Sequence, residues 1–572
     1  MDESIKVTSE RVDDAPLLLA QMERMGVSKI LDEHFPTHGN WGELGLGDTS
    51  AIWLTHILSE GDHRLNQVEE WTEHRIETLS GCIDDAVRSM DFADDRLALI
   101  LGHLSHNEQW DEFESALNAH VLRVYELPTE VVRLDSTSAS GYWQVSEEGL
   151  FQFGHSKDHR PDLPQVKVML SSLDPLGMPL GIEVLSGEQA DDQLYIPAIG
   201  RVRRAIDQRG LLYIGDAKMA SLENRAFVAS GGDFYLCPLP KVQVSEEQLE
   251  AYLKPVWEGA QSLEDVYRES EEGQRQKIAE GYISLQELRV EVEGKPFCWQ
   301  ERRLIVRSLK MAGSAQRSLD KRLQKTREKL LALNEHKRGK KRFTSKEELQ
   351  PKVEKILEES QLEGLLEVGY QEETSQRPVK GYKGKPDRVE EQRELTLSVT
   401  IDETLYEQTV RYLGWRVYAT NGRDEHLPLS KAVLAYRDEF IVEHDFKRLK
   451  GKPLSLRPMY LQTEEHIIGL IRLLSIALKV LALVEYQIRL ELAKQNEALQ
   501  GLYAGNPQRA TRNPTTEQVL RAFQYLTLTI IHQQQQTIYH LTELNQLQLQ
   551  ILRLLNFSVT IYTKLAGKFE PG

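Results

Sequence analysis

Glu130-Val131-Val132-Arg133-Leu134-Asp135-Ser136-Thr137-Ser138 decides how the chain reads: a β-branched and aliphatic run delivers an aspartate to a small polar turn. Leu211-Leu212-Tyr213-Ile214-Gly215-Asp216, followed by Ala217-Lys218, repeats the arrangement further on. Between the two, segments 150–154, 166–171 and 181–185 read as strands, Asp174-Pro175-Leu176-Gly177 as a turn, and 195–209 as a helix. Strands first, then strand–helix alternation, predict a mixed α/β sheet. Aspartates often follow strands as turn formers or helix caps, so neither one alone defines a site.

Working outward, the first 128 residues show apolar spacing of three and four at 15–35, 50–59, 63–79 and 108–125, the pattern of short helices. After Asp216, segments 233–240 and 290–308 have strand character, and 315–333 and 345–363 read as charged helices. Segment 371–388, rich in Gly, Lys, Pro and Gln, reads as a loop, and strands return at 395–401 and 415–420. Helices are predicted from 429 to the end, punctuated by the Gly-Asn-Pro and Asn-Pro of 501–514, with the Gln533–Gln536 run inside a helix-periodic segment. The domains expected are a helical N-terminal domain (1–128), an α/β core in two parts (129–232 and 411–455), a strand-containing insertion between them (233–410) and a helical C-terminal region (456–572).

A third acidic residue stands out. Val433, Tyr436, Phe440, Glu443, Lys447 and Lys450 share one face if the segment is a continuous helix, which sets a glutamate beside apolar neighbours. Burying that charge is costly unless a cation meets it. Two-metal phosphoryl transfer needs carboxylates converging from separate elements, because two ions ~3.5–4 Å apart activate the attacking oxygen and stabilise the leaving one.

The segment Tyr436-Arg437-Asp438-Glu439-Phe440-Ile441-Val442-Glu443-His444-Asp445-Phe446-Lys447-Arg448-Leu449-Lys450 resembles the tyrosine–arginine–glutamate–lysine signature of one branch of DDE-type bacterial insertion-sequence transposases. Tyr436, Glu443 and Lys450 fall in register with it; the arginine position holds Glu439, a departure, with Arg437 and Arg448 nearby as substitutes. The stretches around Asp135 and Asp216, and Gly154-His155-Ser156-Lys157-Asp158-His159-Arg160-Pro161, resemble the same branch, so the likeness spans roughly residues 130–460. It implies a ribonuclease-H-like core interrupted by an insertion domain and flanked by helical regions. It also implies Asp135, Asp216 and Glu443 as catalytic ligands of two Mg²⁺ ions, with Mn²⁺ as a substitute. The activity implied is nicking of double-stranded transposon terminal repeats and strand transfer into target DNA, by a homodimer in the synaptic complex. In members with a hairpin intermediate, a tryptophan stacks on a flipped base; Trp415 has a suitable position, and a strand tryptophan packed in the core reads equally well.

Phosphate contacts are expected from Tyr436, Arg437, Lys447, Arg448 and Lys450, and from the run Lys337, Arg338, Lys340, Lys341 and Arg342, a run that reads equally well as a solvated face. The formal charge of −18 does not oppose this. Residues 1–130 hold 27 acidic and 9 basic side chains, the remainder balances at 61 of each, and segment 302–342 carries 15 basic against 3 acidic. Affinity for nucleic acid follows where cations meet phosphates, not their sum. His155 and His159 are four apart, but the strand-like Phe151-Gln152-Phe153 before them and Pro161 after them argue against a helical metal pair.

Cys82, Cys237 and Cys298 form no CxxC pair, and the N-terminus has no apolar core, so a cytoplasmic protein, nucleoid-associated when bound to DNA, is expected. The apolar run 467–484 carries Arg472 and Lys479 near its middle, which favours a helix buried in protein over a membrane span. Two rival readings remain: a structure-specific nuclease on the same core, and an inactive transposase derivative that binds DNA without cutting.

Overall fold

Strand β1 (Lys6–Arg11) opens the chain and leads into helices α1 (Ala15–Arg24), α2 (Val27–His34), α3 (Leu46–Glu60), α4 (Val68–Glu73), α5 (Ile76–Ile83), α6 (Asp94–Ser105) and α7 (Asn107–Val124). The computed structural model describes every residue except 1–4, 38–40, 43, 270–272, 293, 336–342, 344, 380–387, 534–535 and 568–572. The α/β region follows as β2 (Val131–Ser140), β3 (Gln165–Leu173), β4 (Met178–Ser186), α8 (Tyr195–Ala205), β5 (Leu212–Gly215), α9 (Leu222–Ser230), β6 (Phe234–Pro238) and α10 (Glu246–Trp257). Then come β7 (Glu264–Glu269), β8 (Arg275–Val292), β9 (Lys295–Ser308), α11 (Leu309–Leu331), α12 (Lys346–Ser360), β10 (Leu366–Val379), β11 (Arg388–Ile401), α13 (Glu403–Arg411) and β12 (Trp415–Thr420). Six helices and a hairpin finish the chain: α14 (Leu429–Arg437), α15 (Phe440–Lys450), α16 (Glu464–Gln495), α17 (Thr516–Arg521), β13 (Thr527–Gln533), β14 (Gln536–Leu541), α18 (Gln546–Leu554) and α19 (Thr560–Thr563).

Among the described residues, nine strands form one mixed sheet in the order β4-β3-β2-β5-β6-β12-β9-β8-β7. β2 pairs antiparallel with β3 and parallel with β5, and β5 pairs parallel with β6. β12, reached only after the whole insertion, returns to pair antiparallel with both β6 and β9. The insertion therefore extends the core sheet through β9, β8 and β7 rather than standing apart from it. Every residue of β3 is buried, as expected for a strand covered on both faces.

α16 is the central strut. Its bilayer-length apolar window is 94% buried inside the protein. Its two mid-helix cations each find acceptors in neighbouring elements: Arg472 donates through its terminal nitrogens to the Leu104 carbonyl (2.8 Å) and Asn107 Oδ1 (2.6 Å), its Nε finding none, and Lys479 donates to Asn118 Oδ1 (2.9 Å) and the Pro179 carbonyl. Buried charges survive only with such partners.

Three sequence expectations change. The presumed loop at 371–388 is largely the long antiparallel ribbon β10–β11, whose register runs from Leu366↔Ile401 to Val379↔Arg388; its Gly and Lys cluster lies outside the described residues. The C-terminal region is not wholly helical: β13 and β14 form a hairpin to which β1 adds a third strand, because Thr527-Leu528-Thr529-Ile530-Ile531 is β-branched and alternates between buried and half-buried positions. Segment 150–154 contributes one isolated bridge, Gln152 to Gln165, rather than a strand.

Candidate active site

Asp135 sits mid-strand in β2, and Asp216 directly follows β5; Leu134 pairs with Gly215, so parallel pairing alone places the two aspartates at neighbouring points of the sheet. They line one crevice with Arg133, Leu134, Ile214, Gly215, Tyr436, Glu439 and Val442. Its volume of ≈ 10 Å³ is about that of a single water.

Each aspartate is held by specific donors. The Ser136 amide donates to Asp135 Oδ1 at 2.7 Å, and Lys157 Nζ stands 3.5 Å from the same oxygen. Lys157 Nζ is itself fixed by the Ser136 carbonyl (2.6 Å) and hydroxyl (2.9 Å). The buried Tyr195 hydroxyl donates to Asp216 Oδ1 at 2.7 Å, and the Lys218 amide to the same atom at 2.8 Å. Burial pushes the Asp135 carboxyl up to about 6, Lys157 opposes the shift and the Asp216 charge adds to it. Two carboxylates that repel each other in a buried crevice form an anionic well.

The glutamate that lines this crevice is Glu439. Glu443, the residue expected from the signature, stands on the exposed side of α15 and lines the adjoining groove with Phe440, Lys447, Tyr486 and Arg489. The cause is a helix break. α14 ends at Arg437 and α15 begins at Phe440, so the stripe read from Val433 to Lys450 as one face is split and its second half rotated. Phe440 is 58% exposed instead of packed, while Val442, Asp445, Phe446 and Leu449 turn inward. Glu439 occupies the cap position of the new helix. Burial raises its carboxyl first, and the charges of Asp135, Glu443 and Asp216 raise it further. The signal available in the sequence was the departure itself, an acidic residue where the signature has arginine.

The remaining site residues separate into distinct surroundings. Lys450 Nζ reaches Asp158 at 2.8 Å, and Arg457 also pairs with Asp158 (2.9 Å), so the segment 154–161 links the Asp135 strand, through Lys157, to the end of α15. Tyr436 is buried against Tyr418 with ring centroids 4.8 Å apart, a packing role rather than an open phosphate contact. Arg437 donates to the Ile278 carbonyl (3.1 Å) and the Ser308 hydroxyl (2.9 Å), tying α14 to β8 and β9. Arg448 is 3% exposed and paired with Glu485 and with Glu517 (2.8 Å), so the phosphate contact expected of it is withdrawn: its guanidinium is committed to two carboxylates. Lys447 is exposed.

Trp415 begins β12, half-buried, with its indole donating to the Arg411 carbonyl at 3.0 Å. Pro238 pairs with Tyr418, which places Trp415 at the Asp216 end of the sheet, three positions further out along β12. Lys337, Arg338, Lys340, Lys341 and Arg342 lie outside the described residues.

Among the described residues, no three His, Cys, Asp or Glu side chains stand close enough together to share a metal ion in this conformation. The donor chemistry at Asp135 and Asp216 still suits magnesium, which takes one or two carboxylates and completes its shell with water and phosphate oxygens.

No family model and no curated protein matches the chain. Among solved structures it is similar to a piggyBac transposase in a synaptic complex with hairpin DNA, with 7% identity over 90% of this chain and 81% of that one. The TM-score of 0.34 is too low to carry an argument.

Proposed function

We propose that the chain is a DDE-type DNA transposase that cleaves transposon ends and transfers the freed strand into target DNA. The observation that carries this reading is the meeting of Asp135 and Asp216 from adjacent parallel strands, with Glu439 facing them from the start of α15. The half-sheet β4-β3-β2-β5-β6, antiparallel in its first three strands and parallel in its last three, supports a ribonuclease-H-like core; β6, placed by sequence at the start of an insertion beginning at 233, pairs with β5 and counts with the core, so the insertion enters between β6 and β12. Asp135 and Asp216 would hold magnesium, and a glutamate of the α14–α15 junction would join them. When bound, the metal supplies charge neutralisation at the phosphate and activation of the attacking oxygen. The chain's own groups do the positioning: Tyr195 and the Lys218 amide orient Asp216, and Ser136 and Lys157 orient Asp135. The proposed protein acts on double-stranded DNA in the cytoplasm, as a homodimer when two ends are synapsed.

The test is cleavage of the DNA flanking the protein's own coding region in Mg²⁺, followed by a strand-transfer assay. Nicked ends that join to target support the reading. Asp135→Ala and Asp216→Ala are each expected to abolish nicking, and comparing Glu439→Gln with Glu443→Gln identifies the glutamate that acts. Undiminished cleavage in both aspartate variants refutes the assignment. Cleavage without joining identifies a nuclease on the same core, and binding in EDTA without cleavage in Mg²⁺ an inactive derivative, a reading that Glu439 at the arginine position keeps open and the intact acidic residues oppose.

A further inference from the structure

The basic segment noticed in the sequence divides into three parts in the structure. Arg302 and Arg303 are buried in β9, with Arg302 bonded to the Gly422 and Leu427 carbonyls (both 2.8 Å) and Arg303 to the Tyr252 hydroxyl (3.0 Å). Residues 336–342 lie outside the described residues. Between them runs α11, with seven basic and two acidic side chains over 23 residues.

The distribution around α11 is strongly one-sided. Ala312, Leu319, Leu323, Thr326 and Leu330 are buried. At 100° per residue, Lys310, Arg317, Lys321, Arg322, Lys325 and Lys329 fall within a sector about 140° wide on the opposite side. All six are exposed. None forms an ion pair with another described residue. The sector also holds Met311, Ser314 and Ser318, and its one acidic residue, Glu328, accepts from Gln324 at 3.1 Å. From Lys310 to Lys329 the stripe runs about 28 Å at 1.5 Å per residue. α12, packed alongside, has the opposite balance, with three lysines and five glutamates, so charge of the two signs is sorted onto separate helices.

The stripe also starts at a meaningful place. Ser308 caps α11, bonds Arg437 of α14 and pairs with Gly414 beside Trp415, at the Asp216 end of the sheet. Three strand spacings (β5 to β6 to β12 to β9) separate Asp216 from the strand that leads into α11, about 14 Å.

We infer that the solvent face of α11 is a docking surface for the phosphate backbone of double-stranded DNA, holding a duplex whose adjoining stretch reaches the Asp135–Asp216 crevice. An exposed row of six unpaired cations is costly to hold together by mutual repulsion, and a polyanion of regular spacing offsets it by releasing its own counterions. The inference rests on the transposase reading for what the DNA is, but not for whether it binds.

The test uses the full chain with a short random-sequence duplex in EDTA, and binding is followed by fluorescence anisotropy across a salt series. Replacing Arg317, Lys321, Lys325 and Lys329 by glutamine removes four contacts at about 0.9 each from the slope of log affinity against log salt, a loss of about 3.6. Between 50 and 200 mM salt that is roughly a 100-fold smaller fall in affinity than wild type shows. The arginine-for-lysine variant at 321, 325 and 329 is expected to keep the wild-type slope. An unchanged slope in the glutamine variant overturns the proposal. So does an equal loss from Lys346→Gln, Lys352→Gln and Lys355→Gln together on α12, or binding to anionic lipid vesicles with none to the duplex. If wild type binds through α11 yet never cleaves in Mg²⁺, the surface stands and the catalytic reading falls.

Discussion

Tyr195 shows how one buried hydroxyl organises the site. It donates to Asp216 from α8, an element that reaches the crevice only because the crossover returns the chain to β5. Tyr195→Phe keeps the ring and removes one neutral-to-charged bond, for which about 1.5 kcal/mol, or roughly tenfold in cleavage rate, is expected. Steady-state cleavage by a variant with unchanged melting temperature measures it, and a rate equal to wild type would remove Tyr195 from the positioning set. Asp14 gives a stability prediction of the same scale. Buried at 7% exposure and bonded by the Ser59 hydroxyl at 2.6 Å, it has a carboxyl raised by burial to about 7 from 3.8. An acid whose folded value lies above its unfolded one binds its proton more tightly when folded. It therefore destabilises nothing below about pH 4, and its cost grows as pH rises to about 7. Asp14→Asn, which keeps an acceptor for Ser59, is expected to add on the order of 2–4 kcal/mol at pH 8 and nothing at pH 4. Paired thermal melts at the two pH values decide it, and equal gains at both would contradict the burial argument.

Among the elements, β9, α11 and β12 meet at a close approach of backbone to backbone. Gly414 has φ +84°, and a Cβ there would lie 2.6 Å from Ala312 Cβ and 2.8 Å from both the Ala312 nitrogen and the Ser308 carbonyl oxygen. Two of those atoms are backbone, so nothing cheap can move. Gly414→Ala is expected to cost about 2–4 kcal/mol and to shift α11 on the sheet. Chemical denaturation reads the first effect, and weaker duplex binding reads the second. The elements were not equally legible in the sequence. The two aspartates were legible because a β-branched run ending in a carboxylate depends on local order alone, and α11 was legible from its period. The break between Arg437 and Phe440 was not. Periodicity carries smoothly through Tyr436, Phe440 and Glu443, whereas the break coincides with ties to distant groups that no local pattern records: Arg437 is bonded to β8 and β9, and Asp438 is paired with Arg268. That single change of phase exchanged Glu443 for Glu439 at the crevice. Arg448 misled for a similar reason, since its two carboxylate partners come from α16 and α17.

Across the whole molecule, the three-stranded sheet β1-β13-β14 joins the first described strand to a hairpin more than 500 residues further along the chain. β1 pairs along its length with β13, Glu10 accepts from the Glu77 and Thr78 amides (3.1 and 2.8 Å), and Tyr562 donates to the Asp13 carbonyl at 3.0 Å. Removing residues 1–11 leaves β13 as an open edge. Limited proteolysis with mass mapping is expected to cut the shortened protein first within 527–541 while the nine-stranded sheet stays protected. Initial cuts elsewhere would mean that the small sheet stands without β1.

The pairing of Lys6 with His532 also sets an order of events on the ribosome. At about 5–20 residues per second, roughly half a minute to nearly two minutes pass between the appearance of β1 and that of its partner. Throughout that interval the opening strand is an unclaimed edge on a nascent chain. The small sheet can therefore close only after every strand of the nine-stranded sheet, from β2 to β12, has been made.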